Sequence, residues 1–227
     1  MPSIFLRSFR RKILFSLKKS LDEELEFIQA FTIETPKNYQ LWQHRQIIVE
    51  RMASVEVAAN DLEATKFQLS LDAKNIHCWQ YRQWLLRHFG LPIDSELEYT
   101  ETLLKNDVYN NSAWNHRYFL IKNVENYKTD DLIEEFNKIL SFLNESTENN
   151  ECFWNYLAAL INDCPLLSMD SVISKLTELI GSPDQTKNHL YLEFLSRFNL
   201  ENHEIICERL KDLHPINRAF WNSLIQK

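Results

Sequence analysis

One pattern, Asn-x-x-x-Trp-x-x-Arg, is written three times along the chain: in "TPKNYQLWQHRQ" from Thr35, in "DAKNIHCWQYRQ" from Asp72 and in "DVYNNSAWNHRY" from Asp107. Two further tryptophans, Trp154 and Trp221, carry Asn150 and Asn217 four residues ahead, as Trp42, Trp79 and Trp114 carry Asn38, Asn75 and Asn110. Successive markers lie 37, 35 and 40 residues apart, and the last gap, 67 residues, spans two periods with a degenerate unit around Tyr191 in "NHLYLEFL". Recurrence at this period is the signature of a solenoid, in which each unit buries its apolar face only against its neighbours.

Each unit reads as two helices. The first follows the Asn, as in "YQLWQHRQIIVERM", where Leu41, Trp42, Arg45 and Ile48 share one face. The second is amphipathic, as in "LDEELEFIQAF", "NDLEATKFQLSL", "DDLIEEFNKILSFL" and "HEIICERLKDL". Cap signals three residues ahead of a Glu, at Ser20, Asn60 and Ser95, mark candidate starts of these second helices. Pro36 and Pro215, each two residues before the Asn, stop the preceding helix. The expected fold is all-α: a right-handed α-α superhelix, a crescent solenoid of tandem helical hairpins. A single domain is expected over 1–227, with a partial first repeat over 1–34 and repeats beginning near 35, 72, 107, 147, 184 and 214.

Composition narrows the function. Two glycines, Gly90 and Gly181, leave no glycine-rich phosphate loop. A formal net charge of −7 argues against nucleic acid as a partner. The one basic run, Arg7 to Lys19, is interleaved with Phe and Leu and reads as a helix face. Cys78, Cys152, Cys164 and Cys207 show no CxxC spacing, so no metal knuckle or redox motif is present. Scattered cysteines without a signal peptide point to a reducing, cytoplasmic setting, and no apolar run approaches the ~20 residues that span a membrane.

For most repeated residues a scaffold role is expected. Trp fills the gap between neighbouring units, Asn caps the following helix, and Arg45, Arg82 and Arg117 lie one turn on, placed to bridge to the next hairpin.

The strings "PKNYQLWQHRQIIVE", "DAKNIHCWQYRQWLL", "DVYNNSAWNHRYFLI" and "NNECFWNYLAALI" resemble the repeats of protein prenyltransferase alpha subunits. The resemblance covers residues 5 to 225 and is strongest to the alpha subunit shared by farnesyltransferase and type I geranylgeranyltransferase, ahead of the Rab geranylgeranyltransferase alpha chain. It implies a transferase subunit that acts only with a beta subunit, moving a farnesyl or geranylgeranyl group from its diphosphate to the cysteine of a C-terminal CaaX motif. It also implies a Zn2+ ion held by the beta subunit and Mg2+ accompanying the diphosphate, with no metal on this chain.

The resemblance places the catalytic lysine of the alpha subunit on Lys37. It gives Tyr39 a place bordering the active site, Gln40 a hydrogen bond to the CaaX carboxylate, and Asn75 and His77 places on the isoprenoid diphosphate side. The alternative reading of His77 is a packed helix-start histidine. Lys74 repeats Lys37 without being the family's catalytic lysine. Ile76 stands where the family usually has Tyr. At the N-terminus, Arg7 falls in a Trp place and Ile4 in a Tyr place, and the family's proline-rich leader is missing, so a compact form is expected. The alternative is a non-catalytic helical-repeat adaptor that binds other proteins.

Overall fold

The computed structural model describes residues 4–122, 129–143, 149–164, 167–183, 185–198 and 203–225, with side chains described from residue 9 and not at 129. The side chains of Ile4 and Arg7, and the repeat starts near 147 and 184, lie outside the described residues.

All described elements are helical, and the chain divides into two compact units, Met1–Tyr99 and Thr100–Lys227. The first holds α1 (Ile4–Ser16), α2 (Leu21–Glu34), α3 (Tyr39–Met52), α4 (Val55–Leu71) and α5 (Ile76–Phe89). The division falls within α6 (Asp94–Asn106). The second holds α7 (Asn111–Lys122), α8 (Thr129–Leu140), α9 (Glu151–Asp163), α10 (Met169–Ile180), α11 (His189–Ser196), α12 (His203–Leu213), a 3-10 turn (Pro215–Asn217) and α13 (Arg218–Ile225). No described helix is long and apolar enough to cross a membrane.

Helix starts follow the repeated asparagines. Asn38, Asn75 and Asn150 each stand immediately before a helix, and each side-chain oxygen accepts an amide of the first turn, satisfying donors that have no partner inside the helix. In the degenerate unit Asn188 caps α11 by accepting from the Tyr191 amide. Ser20 caps α2 through the Glu23 amide, as its spacing suggests. Two other cap expectations fail. Asn60 lies inside α4, which starts at Val55 under Ser54, and Ser95 lies inside the first turn of α6. The cause at α4 is Ala53, whose left-handed backbone (φ 52°) turns the chain sharply and lets Ser54 begin the helix at once. Asn217 does not cap a long helix either, since it closes the 3-10 turn after Pro215.

Tryptophans recur in the core of each unit. Trp42, Trp79, Trp114, Trp154 and Trp221 are all buried. In three repeats the indole also ties down the turn ahead of its own helix: Nε1 of Trp42, Trp79 and Trp114 donates to the carbonyls of Pro36, Ala73 and Val108, at 2.7, 2.9 and 2.8 Å.

A buried carboxylate held by an arginine forms the second repeating device. Arg10 grips Glu24 with both forks (2.7 and 2.6 Å), Arg45 grips Asp61, Arg82 grips Glu96 (2.8 and 2.5 Å), and Arg117 grips Glu135 (2.6 and 2.6 Å). A second donor reaches the same carboxylate from the following repeat: His44 on Glu24, Tyr81 on Asp61 and Tyr156 on Glu135. The arginines therefore do not bridge forward to the next hairpin. Arg45 on α3 meets the carboxylate of α4, and the forward link runs through the residue before the next Arg position. An Arg is long enough to reach the neighbouring helix of its own hairpin, and its planar fork matches a carboxylate there.

Candidate functional site

The turn between α2 and α3 is fixed before any ligand is considered. Thr35 ends α2 by donating its amide to Phe31, and Asn38 returns an amide to the Thr35 carbonyl at 3.1 Å. Pro36 contributes no donor, but its carbonyl accepts two, from Trp42 Nε1 (2.7 Å) and from Asn75 Nδ2 (3.0 Å). Both lone pairs of that oxygen are used, one by its own repeat and one by the next. Lys37 is the next residue along, so its Cα is set by two buried side chains from two repeats.

Beyond that anchored turn Lys37 points outward. Its side chain is 80% exposed, and Nζ lies 3.6 Å from Asp72 Oδ2. Asp72 is held in turn: its amide donates to the Gln68 carbonyl, its carbonyl accepts the Asn75 amide, and its Oδ1 accepts the Lys74 amide at 3.2 Å. Helices α3 and α5 pack against one another and their starts lie side by side, linked through Pro36 and Asn75.

The residues singled out in the sequence divide accordingly. Tyr39 is exposed and Gln40 half-buried, and Gln40 Nε2 donates to the Tyr39 hydroxyl at 3.4 Å. Asn75 is buried, its oxygen accepting the amides of His77 and Cys78 while its nitrogen holds Pro36. Its side chain is thus taken up by the scaffold. His77 is half-buried on the first turn of α5. Ile76 beside it is exposed, presenting an apolar side chain. The structure pairs Lys37 with Asp72 and Tyr39 with Gln40, and it places Asn75 beneath the lysine turn.

Two features escape a sequence reading: the shared Pro36 carbonyl and the Asp72 carboxylate. An acid at the head of a turn reads only as a turn former, and the Asn75–Pro36 bond spans 39 residues. A signal for the buried carboxylates did exist, because an acid follows each of Arg10, Arg45, Arg82 and Arg117 by 14 to 18 residues.

Chemically the site is a helix start carrying an ammonium. Backbone dipoles give such a start roughly +0.5 charge, and Lys37 and Lys74 add to it while Asp72 offsets part of it. Among the described residues, no group of three or more His, Cys, Asp or Glu side chains is placed to hold a metal ion. A separate cavity of about 460 Å³ between α2 and α4 is lined by Asp22, Glu26, Gln29, Arg45, Asn60 and Asp61, and contains no residue of the Lys37 site.

Comparison with known proteins adds four findings. The family model for the protein prenyltransferase alpha subunit repeat matches residues 21–52, 58–89 and 93–124. Among curated proteins, the protein farnesyltransferase/geranylgeranyltransferase type-1 subunit alpha of Candida albicans is 30% identical over 236 residues, covering 96% of this chain and 76% of the relative. The geranylgeranyl transferase type-2 subunit alpha of Bos taurus is 31% identical over 121 residues, 49% of this chain but 21% of that protein, so the chain spans only about a fifth of that relative. Among solved structures, Candida albicans protein geranylgeranyltransferase-I complexed with GGPP matches with a TM-score of 0.86 at 26% identity, covering 99% of this chain and 78% of that one.

Proposed function

The chain belongs to the protein prenyltransferase alpha-subunit family, and we propose that it is the alpha subunit of a farnesyltransferase/geranylgeranyltransferase type-1 heterodimer. The observation that carries this reading is the match to the Candida type-1 subunit alpha across 96% of the chain. In this reading a beta subunit completes the enzyme, the prenyl donor is farnesyl or geranylgeranyl diphosphate, the acceptor is a CaaX cysteine, and the setting is the cytoplasm.

A zinc ion held by the beta subunit would supply the acceptor cysteine as a thiolate, and Mg2+ would travel with the diphosphate. This chain's part is electrostatic. As the bond from the isoprenoid carbon to oxygen breaks, negative charge grows on the departing diphosphate. An ammonium placed there stabilises the transition state more than the ground state, which is what raises turnover. Lys37 suits the task because its turn is anchored at Pro36 while its Nζ, beside Asp72, stays exposed to a ligand. Tyr39 and Gln40 sit two and three residues on, where Gln40 would meet the peptide carboxylate. His77 would face the diphosphate from the second repeat, and Asn75 would serve that face by holding the turn.

Co-expression with a candidate beta subunit tests the reading. A stable 1:1 complex that transfers a prenyl group to a CaaX peptide is expected. Lys37→Ala should leave assembly intact and slow single-turnover transfer on the order of 10²-fold, as removal of one transition-state donor does elsewhere. Unchanged single-turnover chemistry would remove Lys37 from the mechanism. A complex that forms but transfers nothing would leave the chain a binding scaffold.

A further inference from the structure

We propose that Asp72 is a positioning residue for the Lys37 ammonium, supplied by the second repeat to the first. The inference rests on the reading of Lys37 as the residue that meets the departing diphosphate.

Lys37 hangs from a fixed turn on a flexible four-carbon stem, largely in solvent. A lysine in that situation samples many rotamers, and an ammonium that must be recruited from them contributes less to a transition state than one already in place. The carboxylate of Asp72 supplies the missing restraint. Its backbone is tied at both ends, through Gln68 and Asn75, and its Oδ1 is committed to the Lys74 amide. Only Oδ2 is left to face outward, and it lies 3.6 Å from Lys37 Nζ. The same second-repeat turn holds the Pro36 carbonyl through Asn75. The main chain and the ammonium of Lys37 are therefore both referenced to residues 72–75.

The charge of Asp72 makes the idea testable. A carboxylate near a diphosphate weakens ground-state binding of that anion while it steadies the ammonium. Asp72→Asn removes the charge but keeps an oxygen that can accept the Lys74 amide, so the turn survives. In the heterodimer, the expected result is single-turnover transfer slowed about tenfold, with KM for the isoprenoid diphosphate unchanged or lower. A merely structural Asp72 predicts no change in either quantity.

A double-mutant cycle completes the test. If Asp72 acts through Lys37, Asp72→Asn should change nothing further in the Lys37→Ala complex, a coupling of about 1.4 kcal/mol for a tenfold effect. The proposal is overturned if Asp72→Asn leaves the rate unchanged, if it slows both backgrounds equally, or if it acts by raising KM. A wild-type complex that transfers nothing sinks the functional reading and this one with it. A working complex whose rate falls on Lys37→Ala but not on Asp72→Asn sinks this one alone.

Discussion

Trp79 shows how one side chain can serve both core and turn. Its indole is buried, and Nε1 donates to the Ala73 carbonyl at 2.9 Å. Trp79→Ala should lower stability by roughly 3–5 kcal/mol, as large-to-small core changes do, read as a shift in the denaturant midpoint at unchanged slope. A melting temperature that moves by less than a degree would show that Trp79 is not core. The tryptophans and the capping asparagines are legible in sequence because they recur at fixed spacing. What the indole nitrogen bonds is not legible, since a carbonyl acceptor leaves no mark on residue identity. Asn75 illustrates the same limit. The sequence marks it as a helix start, but only the fold brings Pro36 within its reach. Lys37, Tyr39 and Gln40 could be singled out only through family resemblance, because an exposed lysine in a turn carries no periodic signal of its own.

At the scale of the element, the helices are joined by ions as well as by apolar contact. Arg82 and Glu96 are both fully buried, and Arg82 also donates to the Leu62 carbonyl at 2.7 Å and to Thr65. Breaking one partner strands a charge out of reach of water. Arg82→Met should therefore destabilise by roughly 3–5 kcal/mol, whereas Arg82→Met with Glu96→Leu should recover much of the loss. A single substitution costing under about 1 kcal/mol would contradict this account. The series of charged rungs stops at α9, where Leu157 occupies the Arg position three residues after Trp154. There the packing turns aromatic, with Trp154 stacked on Tyr191 (ring centroids 5.5 Å) and tilted against Phe194 (5.2 Å). The alternation of helices was plain from the sequence. The buried acids were marked only by their spacing from each Arg, because Glu24 and Asp61 sit in helices that also carry exposed acids.

At the scale of the whole molecule, the Arg10–Glu24–His44 rung and the lysine-held Glu101 shape the response to acid. Burial works to raise the Glu24 carboxyl, but hydrogen bonds from Arg10 and His44 outweigh it and hold the carboxyl below its usual 4.5. Burial lowers His44 below 6.5, with Arg11 and Arg10 adding to that and Glu24 opposing it. Lysines 105 and 138 hold Glu101 down to about 2. Each of these groups binds fewer protons folded than unfolded, so stability is full above about pH 6.5. It should fall first as His44 titrates in the unfolded chain, then further below about 4.5. Melting temperature measured against pH should show both steps, and His44→Gln should remove only the upper one. A profile flat from pH 7 to 4 would refute the assignment. The doubly used Pro36 carbonyl carries a different consequence, one about descent. Tandem arrays ordinarily lengthen and shorten by duplicating or losing whole units, since each touches only its neighbours. Here a copy slipped in after the first unit would carry Asn75 and Asp72 away from Lys37. The same double use recurs where the Val108 carbonyl accepts from Trp114 Nε1 (2.8 Å) and Asn150 Nδ2 (2.6 Å), so each of these boundaries tolerates only a unit that brings its own asparagine.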